Sequence, residues 1–115
     1  MSEVASGDLE MPGGLSIERA QDDRGIVLRL VGELDLESAP ELDRQLCELA
    51  AQSPGRLLID LRGLEFMDSS GLAVMVRAQR SARDNGHGLA LRPGPTQVQR
   101  LFELTGVVQH FTFED

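Results

Sequence analysis

The sequence predicts an α/β fold: a single domain with a mixed sheet of four to five strands packed against about three or four helices. Three observations predict it. Segments with period-two alternation or a continuous apolar run take turns along the chain with segments whose apolar residues recur at helical spacing. Short clusters of Gly, Pro, Asn and Asp separate them. The chain has 115 residues, 41 % hydrophobic and 26 % charged, which is the size and make-up of one globular domain. Strand–helix–strand units demand parallel pairing through right-handed crossovers, while an opening hairpin adds an antiparallel edge.

Taken in order, residues 1–14 hold Ser6, Gly7, Pro12, Gly13, Gly14 and three acids without apolar period, and are expected to form a flexible N-terminal tail. The domain is expected over residues 15–115. Leu15 to Ala20 alternates as a half-buried strand does; Gln21 to Gly25 is a turn, and Ile26 to Val31 a second strand. Ser38-Ala39-Pro40-Glu41 has the form of a capping box. It opens a helix with Leu42, Leu46, Leu49 and Ala50 at helical spacing, which Pro54-Gly55 terminates. Cys47 is expected in the core on that helix's apolar side. Leu57 to Leu61 is a short apolar run fitting a strand buried on both faces, and Asp60 within it is either paired or at the strand's exposed end. A second helix is expected from about Ser69 to Arg83 and a strand at Gly88 to Arg92. Pro95 opens a third helix with Val98, Leu101 and Phe102 on one face, and Gly106 stops it. Val107 to Phe113 reads as a last short strand and tail.

Charge narrows the function. Eleven arginines and no lysine against 19 acids give a net charge of −8, which repels nucleic-acid phosphates and anionic lipid alike. Four Phe with no Trp or Tyr leave no base-stacking platform. No nucleic-acid or membrane partner is expected. No apolar run approaches the ~18 residues of a membrane span, the N-terminus has no secretory pattern, and a single cysteine suits a reducing compartment; a cytoplasmic location is expected. His87 and His110 have no Cys or carboxylate at ligand spacing, so no metal is expected. The chain has no Lys for a P-loop and no Gly-x-Ser-x-Gly elbow, and a Ser–His–Asp triad would need a remote His. No cofactor and no catalytic constellation is expected, so the chain reads as a binding module rather than an enzyme.

The chemistry concentrates in Phe66-Met67-Asp68-Ser69-Ser70-Gly71-Leu72, where a buried strand gives way to a helix. Asp and Ser at such a place cap the free N–H groups of the first turn. They also offer an accessible hydroxyl where the helix dipole favours added negative charge, so a phosphate there changes the surface more than the fold. At ~100° per residue, Gly71, Met75, Ala78 and Ala82 face the sheet and Arg77, Arg80 and Asp84 lie opposite. Ala73 and Val76 fall on that charged side, with Leu72 at the border. A small apolar patch with an arginine rim is the form of a docking surface, although isolated exposed Ala and Val occur on any surface.

In these residues the chain resembles the STAS domains, and among them the bacterial anti-sigma factor antagonists. The resemblance runs from Leu15 to the C-terminus and rests on three motifs in order: Gly32-Glu33-Leu34-Asp35 followed by Ala39 and Leu42, the Phe66–Leu72 segment, and Leu101-Phe102-Glu103-Leu104-Thr105-Gly106. It implies a single STAS-like domain and a protein-binding switch. The unphosphorylated form would bind an anti-sigma factor that is also a serine kinase and so free the sigma factor. The kinase would phosphorylate the first Ser of the signature, and a PP2C-type phosphatase would restore the binding form. Carried over by position, Ser69 is the phosphoacceptor, and Asp35, Asp68, Ser69, Ser70, Gly71, Leu72, Ala73 and Val76 form the kinase-binding surface, with Ser70 the structural cap. On its residues alone Asp35 is either a functional acid or a solvated one in a loop. The alternative within the same resemblance is a constitutive, non-switching STAS subunit of a lipid-transport ATPase or a stress-signalling complex.

Overall fold

The computed structural model describes residues 14–52 and 54–115, so the tail expected over residues 1–14 falls, Gly14 apart, outside the described residues. β1 (Leu15–Asp22) and β2 (Gly25–Leu34) form the expected antiparallel hairpin, with Leu15 opposite Gly32 and Asp22 opposite Gly25. Its turn is held by the Asp22 carboxylate, which accepts the N–H groups of Arg24 and Gly25 at 2.9 and 3.0 Å. There follow α1 (Ala39–Ala51), β3 (Arg56–Met67), α2 (Ser69–Asn85), β4 (Gly88–Arg92), α3 (Thr96–Leu104) and a 3₁₀ turn at Val108–His110. The sheet order is β1-β2-β3-β4, with β2–β3 and β3–β4 parallel. This is the predicted α/β architecture, with four strands and three α-helices among the described residues.

The core joins Leu28, Leu30, Ile59, Leu61 and Leu91 of the sheet to Leu42 and Leu46 of α1, Met75 of α2, and Val98 and Phe102 of α3. α2 packs against β3, β4, α1 and α3 together, and α3 also packs on β3. β3 is longer than the apolar run of Leu57 to Leu61 because two irregularities in its pairing with β2, near Gly63 and Glu65, let it continue to Met67. Gly32, inside β2, has φ 109°, and a Cβ there would stand 2.2 Å from the carbonyl oxygen of Gly14, so the incoming chain can approach only a glycine.

Three local expectations are corrected. The segment Val107 to Phe113 is not a strand but a 3₁₀ turn followed by a single parallel bridge from Phe113 to Leu91. Local backbone bonds explain it: the N–H of His110 donates to the Val107 carbonyl at 2.9 Å and that of Phe111 to the Val108 carbonyl at 3.2 Å. The segment therefore coils on itself and meets β4 only beyond the turn, where the Leu91 N–H donates to the Thr112 carbonyl and the Glu114 N–H to the Leu91 carbonyl. Phe111 and Phe113 then both meet Phe102 edge-on, at centroid distances of 5.3 and 5.4 Å. Cys47 is exposed. The buried face of α1 is Ala39, Leu42, Leu46 and Leu49, and Cys47 lies one ~100° step beyond it. The capping box does not close either. Ser38 stands at the N-cap without a side-chain cap bond to its own helix, and its Oγ donates instead to the Glu33 carbonyl at 2.9 Å. Glu41 accepts from Arg44 at 2.5 Å, and that guanidinium, with the Gln45 amide, holds its carboxyl at a pKa of about 2.

Candidate functional site: the strand ends beneath helix α2

β2 and β3 run parallel and finish opposite one another, Leu34 beside Met67. The segments that follow, the loop 35–38 and the first turn of α2, therefore leave the same edge of the sheet. One backbone bond ties them, from the N–H of Asp68 to the carbonyl of Leu34 at 3.1 Å.

Asp68 is extended (φ −110°, ψ −171°) and is the N-cap of α2; its Oδ1 accepts the N–H of Ser70 at 2.9 Å. Its carbonyl accepts the N–H of Leu72 at 3.2 Å. The cap expected at Ser70 is thus supplied by Asp68, because an extended residue one position before the helix aims its carboxylate back at the first-turn amides, whereas Ser70 is already helical. Ser69 is left exposed, with no hydrogen bond on its hydroxyl among the described residues.

Gly71 fixes how closely this turn sits on the sheet. A Cβ at this position would lie 2.6 Å from Cγ of Leu34 and 2.8 Å from Cγ of Met67, so only glycine lets α2 start directly on the two strand ends. Gly71 is buried, and Leu72 is only 6 % exposed. Neither offers a side chain to a partner, which narrows the expected surface. Val76 is half-buried against the core, not on an open charged side, while Ala73 is exposed. The reason is that α2 has neighbours around much of its circumference, so its apolar arc is wider than one sheet-facing stripe.

Asp35 is half-buried. Its Oδ1 accepts the N–H groups of Glu37 and Ser38 at 3.0 and 3.1 Å, and its own N–H donates to the buried Ser38 hydroxyl at 3.0 Å. It therefore builds the loop 35–38 from inside. At the loop's tip stands Leu36, 75 % exposed. The sequence reading missed Leu36; the available signal was a large apolar residue between two acids in a connection whose other apolar neighbours belong to strand or helix. Phe66, 47 % exposed, pairs with Glu33 across the strand ends. Glu33, Glu37 and Glu65 are exposed here too. No basic residue occurs from Leu30 to Asp43 or from Gly63 to Val76, so this end of the molecule is acidic with apolar tips. Among the described residues no group of three or more His, Cys, Asp or Glu could hold a metal ion, and no helix is long and apolar enough to cross a membrane.

Comparison with known proteins agrees with this architecture. The family model described as "Mlab, STAS domain" matches residues 17–112, and the chain belongs to the STAS domain family. An anti-sigma-B factor antagonist of Bacillus subtilis (strain 168) is 33 % identical over 93 residues, 81 % of this chain and 84 % of that protein. The crystal structure of an anti-sigma factor antagonist from Mycobacterium paratuberculosis has a TM-score of 0.77 at 28 % identity, covering 91 % of this chain and 89 % of that one. The anti-sigma factor antagonist SpoIIAA in its unphosphorylated form has a TM-score of 0.74 at 20 % identity, covering 87 % and 89 %. The Bacillus SpoIIAA in its phosphorylated form has 0.69 at 20 %, covering 87 % and 92 %. At that identity the likeness to SpoIIAA is one of fold.

Proposed function

We propose that this chain is an anti-sigma factor antagonist acting as a phosphorylation-controlled binding module of the cytoplasm. Its unphosphorylated form binds an anti-sigma factor that is also a serine kinase, releasing the sigma factor. Phosphorylation of Ser69 dissolves that complex, and a PP2C-type phosphatase restores it. The observation that carries the reading is the division of labour at the start of α2: Asp68 caps the helix, so the exposed Ser69 hydroxyl beside it is not committed to the fold.

The reaction is the kinase's. The Ser69 oxygen forms a bond to the γ-phosphorus of ATP, the bond to the bridging oxygen breaks, ADP leaves, and the hydroxyl proton passes to a base of the kinase. This chain supplies the hydroxyl and the surface around it. The added charge sits at a helix N-terminus, where the dipole favours it, so α2 persists. The surroundings change sign of effect: Asp68, Glu33, Glu37 and Glu65 already make this end acidic, and a doubly charged phosphate must be desolvated in an interface formed around a neutral hydroxyl. A cost of roughly 3 kcal/mol is enough to weaken the complex about a hundredfold. The binding surface under this reading is Ser69, the parts of Asp68 and Ser70 that stay accessible, Ala73, the edge of Val76, and the loop that Asp35 organises.

The test is to purify the chain from its host and compare intact mass before and after phosphatase treatment, mapping any phosphate by peptide. A removable phosphate on Ser69, absent from Ser69→Ala, is expected. A chain that carries no phosphate under growth and stress, and accepts none from candidate kinases with ATP, would sink the switch. It would leave the constitutive STAS subunit of a lipid-transport ATPase or stress-signalling complex.

A further inference from the structure

α2 carries Arg77, Arg80 and Arg83 at three-residue intervals. Arg77 pairs with Asp43 of α1 at 3.3 Å. Arg80 and Arg83 have no ion pair or side-chain hydrogen bond among the described residues, in a chain whose acids outnumber its bases 19 to 11. Both line a cleft of about 260 Å³ between α2 and the C-terminal turn, together with Val76, Gln79, Val107, His110 and Phe111. The ionisable lining is therefore two arginines and a histidine without one carboxylate, over an apolar floor. The phosphoacceptor does not account for these cations: Arg80 lies eleven residues beyond Ser69, roughly 16 Å along the helix axis, farther than a phosphoseryl group reaches.

We infer that this cleft binds a small organic anion, a carboxylate or phosphate monoester carried on a compact apolar body. Its charge sits between Arg80 and Arg83, whose planar forks suit both acid types, and its apolar part lies over Val76, Val107 and Phe111. A molecule of net charge −8 repels free anions at long range, so capture depends on cations placed locally, and this cleft holds two of them without a carboxylate in its lining. The same chemistry is offered by a free small molecule or by an acidic side chain next to an aromatic one on a partner chain.

The experiment uses the whole chain, needs no kinase, and does not depend on the reading of Ser69. Phenyl phosphate, benzoate, neutral benzyl alcohol and the dipeptide N-acetyl-Phe-Glu-amide are titrated while backbone amide shifts are followed by NMR. The two anions are expected to move residues 76–83 and 107–111 saturably, benzyl alcohol not to, and the R80Q/R83Q variant to bind at least about tenfold more weakly with an unchanged melting temperature. Competition by the dipeptide at the same residues, with tighter binding than the aromatic anions, identifies a partner chain as the source; the reverse order identifies a free small molecule. Shifts spread evenly over other arginines such as Arg24 and Arg100, binding unaltered in R80Q/R83Q, or no saturable binding by any of the three acids would overturn the site.

Discussion

Replacing Asp68 by alanine removes the carboxylate that accepts the Ser70 N–H and should cost about 1 kcal/mol of stability. Replacing Ser69 by alanine removes a hydroxyl with no hydrogen bond among the described residues and should change urea stability by less than about 0.5 kcal/mol. Equal losses for the two variants would mean that Ser69 shares the cap and is not free for modification. Leu36 makes the matching case on the loop. At 75 % exposure it contributes little to the fold, yet it is held in place by a loop whose backbone is bonded to Asp35 and Ser38. A large apolar side chain presented without a large ordering cost is what an interface anchor requires. Leu36→Asp is expected to leave the melting temperature unchanged and to weaken binding to the proposed anti-sigma factor partner by about tenfold or more, read by calorimetric titration. An unaltered affinity would remove the loop from the interface.

Among the elements, α2 shows how narrowly its start is specified. Gly71 lies against Leu34 and Met67, and one of the distances a new Cβ would face ends on Cγ of Leu34, a branch point that cannot swing aside. Gly71→Val should therefore destabilise by about 2 kcal/mol or more, since overpacking and β-branching both oppose it; a thermal melt within 1 °C of the parent chain would contradict this contact. The same element marks the boundary of what the sequence discloses. Periodicity placed the hairpin strands and all three helices, because each has one buried face that the spacing of apolar residues reports, while β3 was legible as a continuous apolar run, Leu57 to Leu61 being buried throughout. Asp68, Ser69 and Ser70 were legible as a capping cluster for the same local reason. Which of them caps depends on the φ and ψ of single residues, and the composition of the cluster does not contain that. Leu72 and Val76 were misplaced because one helix meets α1, α3 and the sheet at once, and a helical period read against one face cannot anticipate the others. Cys47 failed by a single helical step, and the last strand failed because Val107 to Phe111 bond among themselves in a 3₁₀ turn, which no pattern of apolar residues reports.

Across the whole molecule, charge is divided rather than spread. One end, around Ser69, holds acids without a base, while a row of opposite charges crosses the sheet from strand to strand: Glu18 opposite Arg29, Arg29 opposite Asp60, Asp60 opposite Arg92. Asp60 is the hinge of that row, 1 % exposed. Arg62 meets it at 3.0 Å, Arg92 at 3.3 Å and Arg29 at 3.7 Å. Burial pushes the Asp60 carboxyl up, but the side-chain and backbone hydrogen bonds from Arg62, with the charges of Arg62 and Arg92, outweigh it, and its pKa lies below the ordinary 3.8. The sign follows from that direction. A folded value below the unfolded one means that the ionised Asp60 contributes stability in full above about pH 4, and that the contribution is lost as the pH falls through the lowered folded value. Asp60→Asn keeps the volume and leaves the arginines without their counter-charge. Because solvent reaches Arg29 and Arg62 and screens them, the loss at pH 7 should be roughly 2 kcal/mol, below the full cost of breaking a buried pair. Urea denaturation at pH 7, 5 and 3 checks it: the gap between parent and variant should be the same at pH 7 and 5 and begin to close at pH 3. A gap that stays constant down to pH 3 and below would assign the loss to packing and hydrogen-bond geometry, and the row of charges would then be a consequence of the sheet's register instead of a support for it.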